Sequence, residues 1–463
     1  MIRTDLFFES FLKFIKTNPF NVFPFLCWLL QGRSIAKERL AERVEIDASL
    51  LPYETELVDY LAEQKKQGRR IVLATASHRR YAEQVALHLE LFDHVIATEA
   101  GDNQKGRRKL ATIRALAGEA GFCYAGDSAA DRPIWQAAES LIFVNAPAAD
   151  VTAAETAKNV ELTIRTRPPQ WRAFRREMRL HQYAKNALIF VPLFTSHSYL
   201  SAPGIVAALV AFVCFSLCAS GVYFLNDLLD LQADRQHPRK RNRPLASGNL
   251  ALSTGIAGAI ALPLIAFALA FAFLPMLFVA VLASYYLATN AYSFFLKSIS
   301  TADVMTLVIF YTLRVVAGAV ATGIELSSWL LAFSFFLFVS LAYLKRYIEV
   351  AAPENRETKA HGRGYSAADS ETMFSLGIAN MTASVLVLAL YINSAEVAGL
   401  YQSPKFLWLL CFLMLYWGNR LWVGARRGKI EDDPVVCALK DKVSRIVALS
   451  FILVALAAKF IDV

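Results

Sequence analysis

The sequence holds few charged residues and few cysteines, and each shortage excludes a class of protein. Charged residues make up 19% of the 463 residues, against a usual ~25%, while hydrophobic residues make up 56%. A disordered chain and a collagen are excluded, because both contain far fewer apolar side chains. The six cysteines form no Cys-x-x-Cys pair, so neither a metal site built on cysteine nor a disulfide framework is expected.

The apolar residues are concentrated in one part of the chain. From about residue 184 onward there are nine apolar stretches, each near the roughly 20 residues that a helix needs to cross a bilayer. We therefore predict a multidomain protein: an α/β domain over residues 1–160, a linker and interfacial helix over 161–183, and an all-α polytopic bundle of nine transmembrane helices over 184–463. The predicted spans are 184–201, 203–224, 252–273, 275–293, 302–322, 327–344, 375–394, 404–423 and 442–461.

The net charge of +9 is explained by where the basic residues lie between these spans. Basic connections, such as residues 235–243 and 420–442, alternate with connections that are almost free of charge. By the positive-inside rule, the N-terminal domain and the basic loops are predicted to be cytoplasmic in a multi-pass inner-membrane protein, with the C-terminus outside. A nucleic-acid partner is not expected. A shorter apolar stretch, Pro19 to Leu30, is predicted to cap a pocket or to rest on the membrane surface.

A group of acidic residues at the end of the second predicted span indicates a metal site. Asp227, Asp230 and Asp234 are spaced i, i+3 and i+7, so on a helix they share one face. Three converging carboxylates repel one another unless a cation lies between them, and Mg²⁺ with its preference for oxygen ligands meets that need. We predict that these aspartates are the catalytic metal ligands and that Mg²⁺ is the cofactor.

The segment that follows, residues 237–248, is stiff and basic, as a binding site for phosphate oxygens would be. Lys240, Arg241 and Arg243 are its predicted phosphate contacts. The alternative is a solvated loop whose positive charge only reflects membrane topology.

The two segments together resemble the first aspartate-rich motif of the UbiA superfamily of intramembrane prenyltransferases. They read NDxxDxxxD, from Asn226 to Asp234, and HPxKRxRPxASG, from His237 to Gly248, and the resemblance extends over about residues 175–463. It implies a helical bundle with a cytoplasm-facing polar chamber and a lateral opening for a polyprenyl chain. It also implies that Asn226 joins the three aspartates in binding the Mg²⁺–diphosphate.

Two further segments resemble one branch of that superfamily, the decaprenyl-phosphate phosphoribosyltransferases. They are RLHQYAKN, from Arg179 to Asn186, and DDPVV followed by DKVS, from Asp432 to Ser444. The loop after the sixth span has Asp369 as its single aspartate, whereas aromatic prenyltransferases usually carry a second aspartate-rich motif there. The resemblance implies transfer of 5-phosphoribose from phosphoribosyl pyrophosphate to a polyprenyl phosphate. Lys185 is then expected to contact a phosphate.

Ionisable residues inside the predicted spans are a second set of site candidates, because charge within a membrane is costly. We predict a catalytic role for Arg314 and substrate binding by Lys345 and Arg346. The alternative for Arg314 is an internal ion pair that holds helices together.

Two other functions stay open at this stage. One is transfer of a polyprenyl group from its diphosphate to a small acceptor. The other is a non-enzymatic transporter or lipid-binding protein, against which we count the one-sided cluster of carboxylates and the lack of a half-to-half repeat. A homo-oligomer is compatible with the sequence.

The N-terminal domain alternates helices with short apolar strands near residues 70–74, 94–97, 122–125 and 141–144, which indicates a Rossmann-type parallel sheet. Thr75 ends the first of these strands, Lys109 opens a helix, and Asp127 and Asp131 follow the third strand. This order resembles the haloacid dehalogenase superfamily of phosphatases. The alternative for the two aspartates is an ordinary turn with a helix cap.

That superfamily uses a nucleophilic aspartate in a DxDGT motif, which this sequence does not contain. Either the true protein begins upstream with a further strand, which we favour, or the domain is truncated and inactive. The chain as printed is not expected to be a competent phosphatase. In a longer chain, such a domain could remove the 5-phosphate from the lipid product.

Overall fold

The computed structural model describes residues 1–99, 106–155, 159–198, 200–351, 364–430 and 434–461. The chain forms two compact units. The first contains residues 1–178 together with 223–259, and the second contains residues 179–222 and 260–463. The segment carrying the aspartate-rich motif therefore folds with the N-terminal residues, a grouping that no pattern in the sequence predicts.

The first unit is built from helices and five parallel strands. Its helices before the motif are α1 (Leu6–Thr17), α2 (Val22–Gln31), α3 (Arg33–Arg43), α4 (Thr55–Lys66), α5 (Arg79–Leu89), α6 (Arg107–Ala117), α7 (Arg132–Ala137), α8 (Ala148–Glu155) and α9 (Gln170–Glu177). Its strands are β1 (Val72–His78), β2 (His94–Thr98), β3 (Cys123–Gly126), β4 (Ser140–Val144) and β5 (Asn159–Ile164). The strands alternate with helices, so the predicted α/β class is confirmed.

The strands form two sheets rather than one. Strand β1 pairs with β2, and β3, β4 and β5 form a separate three-stranded sheet, all in parallel. Residues of β1 and β3 line opposite parts of one cavity of about 730 Å³. A single apolar cluster still connects the sheets, since Ile96 of β2 packs in the same core as Tyr124 of β3 and Phe143 of β4.

The second unit is helical. Its elements after the motif include α14 (Met276–Phe294), α15 (Ala302–Thr322), α16 (Ser328–Ala351), α17 (Ser370–Ile392), α18 (Ala395–Leu400), α19 (Trp408–Arg426), α20 (Pro434–Lys440) and α21 (Lys442–Phe460). Three other helices begin or end near the boundary between the units: α11 (Ala202–Leu229), α12 (Leu231–Gln236) and α13 (Leu252–Phe273). Within the described ranges, eight helices are long and apolar enough to cross a membrane, which confirms a multi-pass membrane protein.

The described ranges hold eight long apolar helices where nine spans were predicted, and the difference lies at the first predicted span. Residues 184–198 do not form a long α-helix; a 3₁₀ helix over Leu180–Phe190 leads into the short α10 (Val191–Thr195). The segment nevertheless runs antiparallel to α11. The Tyr183 and Ser220 hydroxyls are 2.9 Å apart, Asn186 donates to the Ser216 hydroxyl at 2.9 Å, and Phe190 packs on Phe212. Because a 3₁₀ helix rises ~2.0 Å per residue, it covers more distance than an α-helix of equal length.

Candidate functional site

The aspartate-rich motif lies where α11 ends and the short α12 begins. Asp227, in the last turn of α11, and Asp234, in α12, are both almost fully buried. Arg243 contacts both of them: its Nη1 donates to Asp227 Oδ1 at 2.9 Å and to Asp234 Oδ2 at 2.6 Å. The guanidinium therefore supplies the positive charge that two neighbouring buried carboxylates require.

Asp230 has a different partner. It lies between the two helices, and its Oδ1 accepts a hydrogen bond from Lys16 Nζ at 2.9 Å. In the described part of the chain, no group of three or more His, Cys, Asp or Glu side chains could hold a metal ion together. The three carboxylates thus do not converge as the spacing predicted, because the break after Leu229 interrupts the helix face that they would share.

Asp227 and Asp234 still form a donor set that fits Mg²⁺. One oxygen of each contacts the same nitrogen of Arg243, and Mg²⁺ usually takes one or two carboxylates and completes its shell with water and phosphate oxygens. Burial raises the pKa of Asp234, while the nearby Arg243 acts in the opposite direction. The metal role of Asp227, Asp230 and Asp234 stays a prediction.

The residues predicted to contact phosphate lie in the first unit, as the aspartates do. Lys240 and Arg241 are exposed on a 3₁₀ turn, Lys240–Asn242. Just before this turn, His237 Nδ1 accepts hydrogen bonds from the backbone N–H groups of Arg239 and Lys240. Asn226 is half-buried one residue before Asp227. The structure therefore places acidic and basic members of the motif in one neighbourhood, with Arg243 directly on the aspartates.

Arg314, in the second unit, is held among polar partners inside the helices. It is 4% exposed, donates through Nε to Asn186 Oδ1 at 2.7 Å and through Nη2 to the Tyr285 hydroxyl at 3.0 Å, and also contacts the Phe310 carbonyl. These contacts join the 3₁₀ segment to α14 and α15. They support a packing role made of hydrogen bonds rather than an ion pair, and the catalytic role stays a prediction.

Arg346 is likewise engaged in the second unit. It forms a buried ion pair with Asp303, through Nη2 and Oδ1 at 3.0 Å, and it also contacts Glu349 and the Tyr292 hydroxyl. Lys345, beside it, and Lys185, on the 3₁₀ helix, are half-buried. Substrate binding by these three residues stays a prediction, and the partners of Arg346 also give it a structural task.

In the first unit, the haloacid dehalogenase-like residues surround the cavity between the sheets. Thr75, Lys109, Asp127 and Asp131 all line it. Lys109 Nζ contacts Asp131 Oδ1 at 2.9 Å, and both contact the Tyr124 hydroxyl. Burial and the Asp131 carboxylate raise the pKa of Tyr124, so that hydroxyl keeps its proton. Thr75 within β1, Lys109 on α6, and the two aspartates after β3 therefore line one cavity.

The structure also reveals residues that the sequence did not indicate. Glu9 of α1 forms a buried ion pair with Arg235 of α12, 226 residues away in the chain. Lys16 of α1 reaches Asp230 over 214 residues. Neither contact leaves a local spacing signal, so sequence reasoning had no means of finding it.

The described ranges thus hold helices apolar enough to cross a membrane, a paired-aspartate and arginine cluster, and an α/β domain with parallel strands. Residues 188–440 match the UbiA prenyltransferase family, and residues 29–136 match the haloacid dehalogenase-like hydrolases. The chain belongs to the UbiA prenyltransferase family and carries an N-terminal haloacid dehalogenase-like domain. Both resemblances found in the sequence are confirmed.

Individual relatives extend this result. The uncharacterized protein y4nM of Sinorhizobium fredii is 35% identical over 450 residues, 95% of this chain and 84% of the relative. The nodulation protein NoeC of Azorhizobium caulinodans is 33% identical, over 59% of this chain and 89% of its own length. A decaprenyl-phosphate phosphoribosyltransferase of Corynebacterium glutamicum is 31% identical, over 61% of this chain and 86% of its own length.

Among solved structures, a UbiA homologue from Archaeoglobus fulgidus bound to GPP and Mg²⁺ is similar to this chain. Its TM-score is 0.47 at 16% identity, and the match covers 62% of this chain and 100% of that one.

Proposed function

We propose that this protein is a Mg²⁺-dependent transferase that moves 5-phosphoribose from phosphoribosyl pyrophosphate to a polyprenyl phosphate. The observation that carries the proposal is the Asp227–Arg243–Asp234 cluster, which places buried carboxylates and a guanidinium next to an exposed basic turn. The named activity of the corynebacterial relative supports the choice of donor and acceptor.

The roles of the residues follow from the charges that change during such a transfer. When bound, Mg²⁺ would neutralise negative charge on the departing pyrophosphate. Asp227 and Asp234 would hold that ion. Lys240 and Arg241 would bind phosphate oxygens, and Arg243 would be shared between aspartates and diphosphate. The lipid phosphate is already ionised, so attack at the anomeric carbon needs no strong general base.

The alternative within the family is transfer of a polyprenyl group to a small acceptor. Both reactions release pyrophosphate, but the diphosphate belongs to the sugar in the first and to the lipid in the second. The single aspartate in the loop after the sixth predicted span, Asp369, favours the sugar donor. Residues 352–363 of that loop lie outside the described residues.

The test uses the full chain, purified in detergent and returned to liposomes with Mg²⁺. Phosphoribosyl pyrophosphate and a polyprenyl phosphate are added, and the lipid extract is searched by mass spectrometry for a phosphoribosylated lipid, while released pyrophosphate is measured. We expect both products. A parallel reaction supplies a polyprenyl diphosphate with aromatic acceptors, and turnover only there would establish the alternative.

Two variants locate the site. Asp227→Ala should abolish pyrophosphate release, because it removes half of the paired-carboxylate site. Asp59→Ala, which alters an exposed aspartate of α4, is the matched control and should retain wild-type turnover. Wild-type turnover by Asp227→Ala would refute the assignment of the site.

A further inference from the structure

Helix α1 of the N-terminal domain contacts the segment that carries the aspartate-rich motif. Glu9 and Lys16 are seven residues apart in α1, two turns along one face. Glu9 pairs with Arg235, which follows Asp234, and Lys16 pairs with Asp230. All of these residues belong to the same compact unit.

Arg235 makes the central contact. Its Nη1 donates to Glu9 Oε2 at 3.1 Å, its Nη2 donates to Glu9 Oε1, and its Nε donates to the Ala246 carbonyl at 2.9 Å. The Arg235 and Glu9 side chains are only 6% and 5% exposed. A bidentate pair of this kind fixes the orientation of the guanidinium as well as its charge. Arg235 therefore ties α1 to α12 and to the far end of the basic segment.

Residues 248–251, at the end of the basic segment, make further contacts with Arg3 and with α9. The backbone of Gly248 approaches Arg3 so closely that a Cβ at Gly248 would lie 2.5 Å from the Cβ of Arg3. Gln170 of α9 donates to the Asn249 carbonyl at 3.0 Å and accepts from the Ala251 N–H at 3.3 Å. Residues 235–251 thus lie against the start of the chain and against α9.

The Arg235 contacts lie beside the proposed metal pair. Arg235 is the neighbour of Asp234 in a helix of little more than one turn, and Ala246 follows Arg243 by three residues. Movement of Arg235 would therefore displace both a carboxylate of the pair and the guanidinium between the carboxylates.

We infer that α1, which precedes the segment matching the haloacid dehalogenase-like hydrolases, is part of the transferase site, with Glu9 as a positioning residue that acts through Arg235. Glu9 touches neither substrate nor metal. It holds α12 and the basic segment so that Asp227, Asp234 and Arg243 keep their mutual geometry. The inference rests on the proposed function only in taking Asp227 and Asp234 as the metal-binding pair.

The test measures metal binding directly, without any substrate. Mn²⁺, used in place of Mg²⁺, is titrated into the detergent-purified full chain, and the free-ion signal is followed by electron paramagnetic resonance. Loss of a residue that orients metal ligands typically costs ~10–100-fold in affinity. For Glu9→Gln we expect a rise of at least about 10-fold in the Mn²⁺ dissociation constant, with the melting temperature followed on the same samples.

Three further variants separate positioning from folding. Glu9→Asp keeps the charge and should retain most of the affinity. Arg235→Gln should weaken binding at least as much as Glu9→Gln, and the double variant should be no weaker than Arg235→Gln alone, because both act through one contact. Glu56→Gln, at an exposed glutamate of α4, is the matched control and should bind as the wild type does.

The outcomes distinguish this inference from the proposed function. Wild-type protein that binds Mn²⁺ while Glu9→Gln binds it equally well overturns the positioning role alone. Wild-type protein that binds no Mn²⁺ overturns the metal site itself, and the role of Glu9 with it. Additive losses in the double variant would also overturn the coupling through Arg235.

Discussion

At the residue scale, some charged side chains of the candidate site were predicted from the sequence, and the contacts of others depend on the fold. The aspartates and Arg243 lie within 17 residues of one another, and the sequence predicted a metal and phosphate site from them, but not the direct contact of Arg243 with Asp227 and Asp234. The separate position of Asp230 was not predicted either, because its partner Lys16 lies 214 residues earlier. Spacing along a helix predicts a shared face, but it cannot show that the helix breaks at the middle residue.

The hydrogen-bond partners of Arg314 favour a structural role for this residue over a catalytic one. Replacing it by methionine removes hydrogen bonds to Asn186 and Tyr285, and a buried polar group left without its partner costs about 1–3 kcal/mol. We expect Arg314→Met to lower the melting temperature in detergent while leaving the Michaelis constant for the donor unchanged in the protein that stays folded. Arg445→Met, at an exposed arginine of α21, serves as the control. An unchanged melting temperature with lost turnover would instead establish the catalytic role.

Glu161 gives the N-terminal domain a pH-dependent contribution to stability. Hydrogen bonds from Arg69, and then from Ser140 and Tyr60, hold the pKa of this carboxyl well below its usual value. The folded state therefore binds this proton less readily than the unfolded state, so the contribution is present above the unfolded pKa of ~4.5 and is lost as the pH falls through the folded pKa.

We expect Glu161→Gln to lower the melting temperature of the domain at pH 7 by roughly 2–4 °C, a modest figure because the Arg69 partner is partly exposed. The difference from wild type should narrow below about pH 4.5, as the carboxyl becomes protonated. Differential scanning calorimetry at pH 7 and pH 4 measures this difference in melting temperature. The same difference at both pH values would show that the Glu161–Arg69 pair does not contribute to the pH dependence of stability.

At the element scale, the pattern of apolar residues predicted the fold class and most of the helices, but not whether each segment forms an α-helix or a 3₁₀ helix. The first predicted span has the right length and hydropathy, yet it folds as a 3₁₀ helix whose polar side chains pair with Ser216 and Ser220 of α11. Hydropathy measures transfer into lipid and carries no information about such pairings. The division of the strands into two sheets could not be predicted from the sequence either, because it depends on pairing between residues far apart in the chain.

Helix α2 carries an exposed apolar face that is expected to lie on the membrane surface. Phe23 and Leu30 are 63% and 89% exposed, and the native Cys27 is exposed on the same face. Phe20, in the 3₁₀ turn just before α2, is 73% exposed. A nitroxide on Cys27 in proteoliposomes should collide more readily with oxygen than with a water-soluble nickel complex, since oxygen partitions into the lipid. The same label on Leu87→Cys in a Cys27→Ser background, at an exposed site of α5, should show the reverse. Equal accessibility at both sites would exclude membrane contact by α2.

At the scale of the whole molecule, the distribution of charge predicts one orientation in the membrane. The N-terminal domain and the basic segment 235–251 belong to one unit, and the basic loops alternate with loops that are almost free of charge. The 3₁₀ segment runs antiparallel to α11, and we predict that it crosses the membrane beside the eight long apolar helices of the described ranges. Together they would give nine crossings, an odd number, as the charge pattern predicts.

This parity predicts opposite sides for two exposed positions. In a Cys27→Ser background, Leu87→Cys of the N-terminal domain should react with a membrane-impermeant maleimide only in inside-out vesicles, because the positive-inside rule places that domain in the cytoplasm. Gln402→Cys, in the connection before α19 where Lys405 is the only basic residue, should react only in right-side-out vesicles. Labelling of both positions from the same side would mean that the 3₁₀ segment does not cross. Reversed labelling would place the N-terminal domain and the aspartate cluster on the outer face and would contradict the predicted orientation.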